Sequence, residues 1–213
     1  MGREAILRRI RLALGGATGA DVAAQLSARM LHPPPAPVPQ GEGDVVARFI
    51  ARASANLIAV ERIASLAQLV PAVQSLLEGG EDDARGISVA PALRHVGWPA
   101  DWAINYGPGR IVERLSVTEA FAGIAETGSI VMRSAPETPT SLNFLPDVHV
   151  VVLHAGDILA RPEDVWHRMR TSGEAWPRTV NVISGASRTA DVGGVIVRPA
   201  HGPKRVHVLV VGG

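Results

Sequence analysis

In residues 3–14 the apolar side chains Ile6, Ile10, Ala13 and Leu14 fall at the i, i+4, i+7, i+8 spacing of one helix face, with arginines on the other. Gly15 and Gly16 predict its end, and Asp21 predicts the N-cap of a second short helix over 22–31. A basic amphipathic helix of this kind packs on its own domain or a partner, or lies on a membrane surface. The run 33–39, Pro-Pro-Pro-Ala-Pro-Val-Pro, cannot continue a helix and favours the extended polyproline conformation. It predicts a semi-rigid spacer, with an SH3-type ligand as the alternative.

Beyond the spacer, Asp44 predicts a cap for a helix whose apolar face is Val45, Val46, Phe49, Ile50 and Ala53. Residues 57–60 read as a first buried strand. Ser65 and Gln68 form a capping-box pattern for another helix, with Pro71 suited to its first turn. That helix should stop at Gly79-Gly80, before a solvated turn at Glu81-Asp82-Asp83. Strands are expected over 87–90 and 102–104. A second box, Ser116 to Glu119, predicts a helix ahead of a strand at 130–132. The nearly continuous apolar run 148–153 suits a strand covered on both faces. A helix over 163–171 and strands over 179–183 and 206–211 complete the chain. The alternation predicts an α/β fold: a Rossmann-like parallel or mixed sheet with helices on both faces. Residues 1–43 would form an N-terminal helical extension and proline-rich linker, and residues 44–213 the α/β domain.

The chain has 213 residues, 46% hydrophobic and 19% charged, enough for one sizeable core. Net charge is +1 and no long basic run occurs, so nothing marks a nucleic-acid partner. There is no cysteine, which excludes a disulfide framework, a catalytic thiolate and a thiolate-held iron–sulfur cluster in this chain. Electrons would have to travel through another protein or an organic cofactor. Lys204 is the only lysine and no phosphate-loop motif surrounds it, which argues against Schiff-base and P-loop chemistry. No apolar stretch is long enough to span a bilayer, Arg11 interrupts any signal-peptide core, and Gly2 lacks Ser or Thr at position 6. The expected location is the cytoplasm. Nothing requires or forbids a homo-oligomer.

Two clusters carry candidate chemistry. Glu126, Thr127, Gly128 and Ser129 place a carboxylate, hydroxyls and a glycine at a strand tip, where open α/β sheets bind ligands. Glu126 could serve as a general base or orient a substrate hydroxyl, or could tether backbone amides in a tight connection. The second cluster lies between the last two strands: Ser187, Arg188, Thr189 and Asp191, with His201 and Lys204 beyond. Its small and hydroxyl residues let backbone amides approach an anion, and Arg188 adds a planar fork for carboxylate or phosphate. Asp191 could instead hold Arg188 by an ion pair. His201, before Gly202-Pro203, is the stronger acid–base candidate among the histidines. His149 and His154 are five apart and face opposite ways on a strand, and Gly202-Pro203 separates His201 from His207, so no metal-ligand pattern emerges. Gly15 to Gly19 follows a helix and is no dinucleotide fingerprint.

The segment 184–192, Ser-Gly-Ala-Ser-Arg-Thr-Ala-Asp-Val, with His201-Gly202-Pro203 and a terminal strand, resembles the end of the lactate-utilisation protein C family, the LUD domain. Residues 3–14 resemble its N-terminal helix, 124–131 its central segment, and Leu145-Pro146 before 148–153 its following strand. The resemblance implies a Rossmann-like fold shared with ribose-phosphate isomerases, glucosamine-phosphate deaminases, coenzyme A transferases and, more distantly, 5-formyltetrahydrofolate cyclo-ligase. It implies bacterial growth on L-lactate, oxidised to pyruvate together with a cysteine-rich protein and an iron–sulfur protein as partners. It leaves the cofactor unknown. Three readings follow: a component of such a system binding a small anionic ligand, a stand-alone enzyme on a phosphorylated sugar, folate or acyl-coenzyme A, and a non-catalytic scaffold subunit.

Overall fold

The computed structural model describes residues 2–13, 19–31, 43–78, 86–188 and 201–212. Contacts divide the chain into two units, Met1–Gln40 and Gly41–Gly213. The first holds α1 (Arg3–Ala13) and α2 (Gly19–Leu31). Asp21 sits in the first turn of α2 rather than at its cap, where a carboxylate still meets the positive end of the helix dipole. Ile6, Ile10 and Leu12 of α1 and Leu26 of α2 are exposed. The proline run, Gly15-Gly16, Gly79-Gly80 and the acidic turn after them lie outside the described residues.

The second unit begins with α3 (Val45–Ala55), β1 (Ala59–Ile63), α4 (Leu69–Glu78), β2 (Ile87–Val89) and β3 (Ile104–Tyr106). It continues through β4 (Leu115–Glu119), β5 (Ala122–Ile124), β6 (Ser129–Arg133), β7 (Val148–His154) and β8 (Ile158–Leu159). α5 (Pro162–Thr171), β9 (Val180–Ile183) and β10 (Arg205–Val211) close it. Six strands form one sheet in the order β1-β10-β7-β4-β2-β3, every neighbouring pair parallel. This is a Rossmann-like α/β fold. A second sheet, in the order β8-β5-β6-β9, is mostly antiparallel.

The period of two along the strands sorts side chains into layers. On β7, Val148, Val150 and Val152 join one core with Leu69 and Val73 of α4. Val151 and Leu153 join another with Phe49 and Ala53 of α3 and with Ile130 and Met132 of β6. The second sheet is therefore a middle layer. Its far face, Ala122, Ile124 and Val131, packs on Val165 of α5. Gly123 makes that layering possible, because a Cβ there would lie 2.9 Å from Leu153 and 3.1 Å from Phe49.

Asp44 caps α3 as its side chain accepts from the Val46 N–H at 2.9 Å. The other end closes as a Schellman motif: Ile58 N–H donates to Ala53 O at 3.0 Å and Leu57 N–H to Ser54 O at 2.9 Å. Such a motif places its linking residue in the left-handed region, here Leu57 at φ 63°, a position that favours glycine. Leu57 is largely exposed, so its side chain returns little for that strain. Leu57→Gly is expected to raise stability by about 0.5–1 kcal/mol, read from the urea midpoint. An unchanged or lower midpoint would count against backbone strain at this cap.

The box expected at Ser65 does not form: Ser65 makes no capping bond, and Gln68 Oε1 accepts from Ala64 N–H, one residue before the cap, at 2.6 Å. Pro71 is the third residue of α4, where its missing N–H removes no helical bond. The helix expected from Ser116 and Glu119 is instead strand β4. Leu115 and Val117 alternate with Ser116 and Thr118, and the buried Ser116 hydroxyl donates to Leu142 O at 2.6 Å rather than capping anything.

Candidate functional site

Ser129 and Ser184 lie on strand ends that neighbour each other in the second sheet, whose register pairs Ile130 with Ile183. Their hydroxyls are 2.6 Å apart, and Thr127 Oγ1 is 2.7 Å from Ser129 Oγ. This line of three hydroxyls forms one edge of a pocket of about 210 Å³. Ile124, Val131 and Val182 supply its sheet side, and Val165 and Trp166 of α5 the other. A small molecule seated there would meet apolar walls and a hydroxyl rail able to donate or accept.

Two glycines hold this rail against α3. Gly128, at φ 67°, brings the β5–β6 turn onto the backbone of Arg52 and Ala53. Gly185, at φ 121°, runs past the carbonyl of Asn56. Asn56 itself donates through Nδ2 to Thr127 O at 2.8 Å, so one residue at the end of α3 touches both candidate segments. The Glu126–Ser129 turn and the Ser184–Ser187 segment thus meet in space.

The remaining candidates divide. Ser187 N–H donates to Pro203 O and its hydroxyl accepts from His201 N–H, both at 3.1 Å, so these two segments are stitched together before β10. The Arg188 guanidinium comes close to Gly185, with Nη2 3.1 Å from where a Cβ would stand. Lys204 is tied to Asp147 by an ion pair at 3.1 Å and by its N–H to Asp147 O at 2.8 Å, which joins the starts of β10 and β7. Glu126 is exposed, with its N–H bound to Ala160 O at 3.1 Å. No hydrogen bond or ion pair joins the side chains of Glu126 and His201 among the described residues. Thr189 and Asp191 lie outside those residues. The strand-tip position expected for Glu126 is the turn of the small-sheet hairpin, beside the amino end of β1, and not the carboxyl edge of the parallel sheet.

The histidines follow the parity expected of them. His149 is fully buried on the α3 side and shares a 2.8 Å hydrogen bond with Thr118 Oγ1, and His154 points the other way, 3.0 Å from Glu119. Burial lowers the His149 pKa to about 3. Burial also lowers that of His207, against the opposing pull of Glu61. Among the described residues no group of three or more His, Asp or Glu side chains could hold a metal ion. Asn56 went unread in the sequence; an asparagine at a helix end is a local signal only for the cap.

The stretch that builds the hydroxyl rail, α5 and the two central strands is also the stretch that a family model recognises. Residues 114–211 match the LUD domain. Over this stretch the chain is similar to the LUD domain family. Among curated relatives, it is 30% identical over 146 residues to the uncharacterized protein YkgG of Escherichia coli, covering 65% of this chain and 63% of that one. It is 29% identical to the Lactate utilization protein C of Geobacillus thermodenitrificans, covering 56% and 55%. The aligned part of the chain thus spans little more than half the length of these relatives. The crystal structure of a DUF162 family protein from Deinococcus radiodurans superposes with a TM-score of 0.61, covering 82% of this chain and 100% of that one, at 21% identity. That likeness establishes the fold. No described helix is long and apolar enough to cross a membrane.

Proposed function

We propose that this chain is a component of a lactate-utilisation system. In that system it binds a small anionic ligand while iron–sulfur partner proteins carry the electrons of lactate oxidation to pyruvate. The names of its curated relatives support the pathway. The cysteine-free composition supports the division of labour, since thiolate-held clusters would have to reside on partners.

The observation that carries the site is the hydrogen-bonded line Thr127–Ser129–Ser184 along an otherwise apolar pocket. Hydroxyls so placed suit the hydroxyl or carbonyl of a short 2-hydroxy or 2-oxo acid. Arg188 beside Gly185 would supply the charge for its carboxylate. Glu126 and His201 are the proton carriers in this reading, Thr127 and Gly128 form one wall, and Ser187 fixes His201. Thr189 and Asp191 would complete the anion loop. Lys204 would act by anchoring that loop through Asp147.

Thermal unfolding of the purified chain with L-lactate or pyruvate tests this. At 100 times its dissociation constant a ligand stabilises the fold by about 2.7 kcal/mol. Ser184→Ala and Arg188→Ala are expected to weaken binding about tenfold or more, as loss of a charge-assisted hydrogen bond would. Undiminished affinity in Arg188→Ala would remove the proposal's anion contact, and no shift with either acid would remove its ligand.

A further inference from the structure

A second opening, of about 890 Å³, lies at the other end of the parallel sheet. It begins at Glu119, the last residue of β4, and includes Asp157, just past the end of β7. These two strands are the middle pair of the sheet, and the crevice outside their carboxyl ends is where open α/β sheets take ligands. None of the residues assigned above to the hydroxyl-lined site borders it.

Its lining narrows the ligand. Three arginines face four carboxylates, which excludes a lipid-like occupant and gives no surplus of positive charge for a polyanion. Arg133 is paired with Glu174, and Arg168 with Asp157 at 2.6 Å. Both guanidinium groups also lie over the ring of Phe121, at 3.9 and 5.1 Å from its centre, so that ring is already covered. Among the described residues what remains is one cation without a partner, Arg178, and one open aromatic face, Trp176, 59% exposed on the same rim. Glu119 and Glu137 add acceptors for hydroxyl or amino groups. The volume is several times that of the hydroxyl-lined pocket and falls within the range of cofactor-sized sites.

We propose that this cleft binds a mononucleotide: one flat heteroaromatic ring stacked on Trp176 and one phosphate held by Arg178. Base or sugar groups donate to the carboxylates of Glu119 and Glu137. A purine ribonucleotide and a flavin mononucleotide share this chemistry, and the measurement separates them.

Isothermal titration of the full-length chain with AMP and, separately, with FMN is expected to give saturable one-to-one binding with at least one of them. Trp176→Ala and Arg178→Ala should each weaken that binding at least tenfold. Both side chains are exposed, so the variants should keep the wild-type circular dichroism and unfolding midpoint. Ser184→Ala, in the other pocket, should leave the affinity as it was. Saturation with neither nucleotide, or wild-type affinity in either cleft variant, would overturn the proposal. So would a loss confined to Ser184→Ala, which would move the nucleotide to the hydroxyl rail. The lactate and pyruvate titrations stand apart from these outcomes, so failure at one site is distinguishable from failure at the other.

Discussion

Gly128→Ala is expected to remove at least about 3 kcal/mol of stability, which is a large part of what a domain of this size possesses. A Cβ at position 128 would stand 2.2 Å from Ala53 N, 2.4 Å from Arg52 C and 2.7 Å from Ala53 Cα. All three are backbone atoms in the last turn of α3, so no side chain can rotate away. The left-handed conformation at φ 67° adds about 1–2 kcal/mol for any residue with a Cβ. Relief requires the β5–β6 turn to lift from α3. That would break the Asn56–Thr127 hydrogen bond, worth about 1 kcal/mol, and loosen Phe49 and Ala53 in the core below. Gly156→Ala is the control, because a Cβ there meets nothing within 4 Å and no left-handed backbone is involved. Urea unfolding of both variants checks the contrast. A Gly128→Ala midpoint indistinguishable from that of Gly156→Ala would show that the turn yields without α3.

The same crowding explains what the sequence disclosed of the fold. β7 and β10 were readable because a parallel strand covered on both faces must be apolar at every position, and Val150, Val151, Val152 and Leu153 announce that without reference to any neighbour. α3 was readable because an amphipathic face and a capping Asp44 are local signals. The second sheet was only half readable: β6 and β9 answer to the strands expected over 130–132 and 179–183, and β5 and β8 were missed. β5 is three residues long with glycine at its centre, and β8 only two, so neither offers a period to detect. Gly123 looks like a breaker in the sequence, and only the side chains of Phe49 and Leu153 against it show why a strand there requires it. β4 was misread for a related reason. Ser116 and Glu119 have capping-box spacing, yet alternation from Leu115 to Thr118 is the stronger signal once the strand has β2 and β7 to pair with.

Of the candidate site, the parts were legible and their assembly was not. Glycine, hydroxyl and charge in 126–129 and 184–188 mark places where backbone and ligand come close. Their meeting depends on the pairing of β6 with β9, residues some fifty positions apart in sequence, and on Asn56 from a third region. Sheet register between distant strands leaves no local trace. The cleft at the carboxyl edge is harder still, since Glu119, Arg133, Asp157, Arg168 and Arg178 come from five separate elements or loops and none belongs to a ligand-binding motif.

Acid should destabilise this domain more steeply than its carboxylates alone would, because of His149. The ring is fully buried, its Nε2 shares a hydrogen bond with Thr118, and its Nδ1 has no hydrogen-bond partner among the described residues. Protonation would place a charge where nothing compensates it, so burial holds the folded-state pKa near 3 against 6.5 for the unfolded chain. Between those values the unfolded state binds a proton that the folded state refuses, and stability therefore falls as pH drops from about 6.5 towards 3. The full difference corresponds to about 5 kcal/mol, at roughly 1.4 kcal/mol per pH unit. His207, also lowered by burial, acts in the same direction. Replacing both partners, Thr118→Val with His149→Leu, removes the titrating group without stranding the threonine hydroxyl. Urea unfolding at pH 7 and pH 4 should show the wild type losing about 3 kcal/mol more than this double variant, with carboxylate effects common to both. Equal losses would mean that the ring reaches solvent or a proton acceptor on acidification, and that the core beneath α3 opens before His149 has to charge inside it.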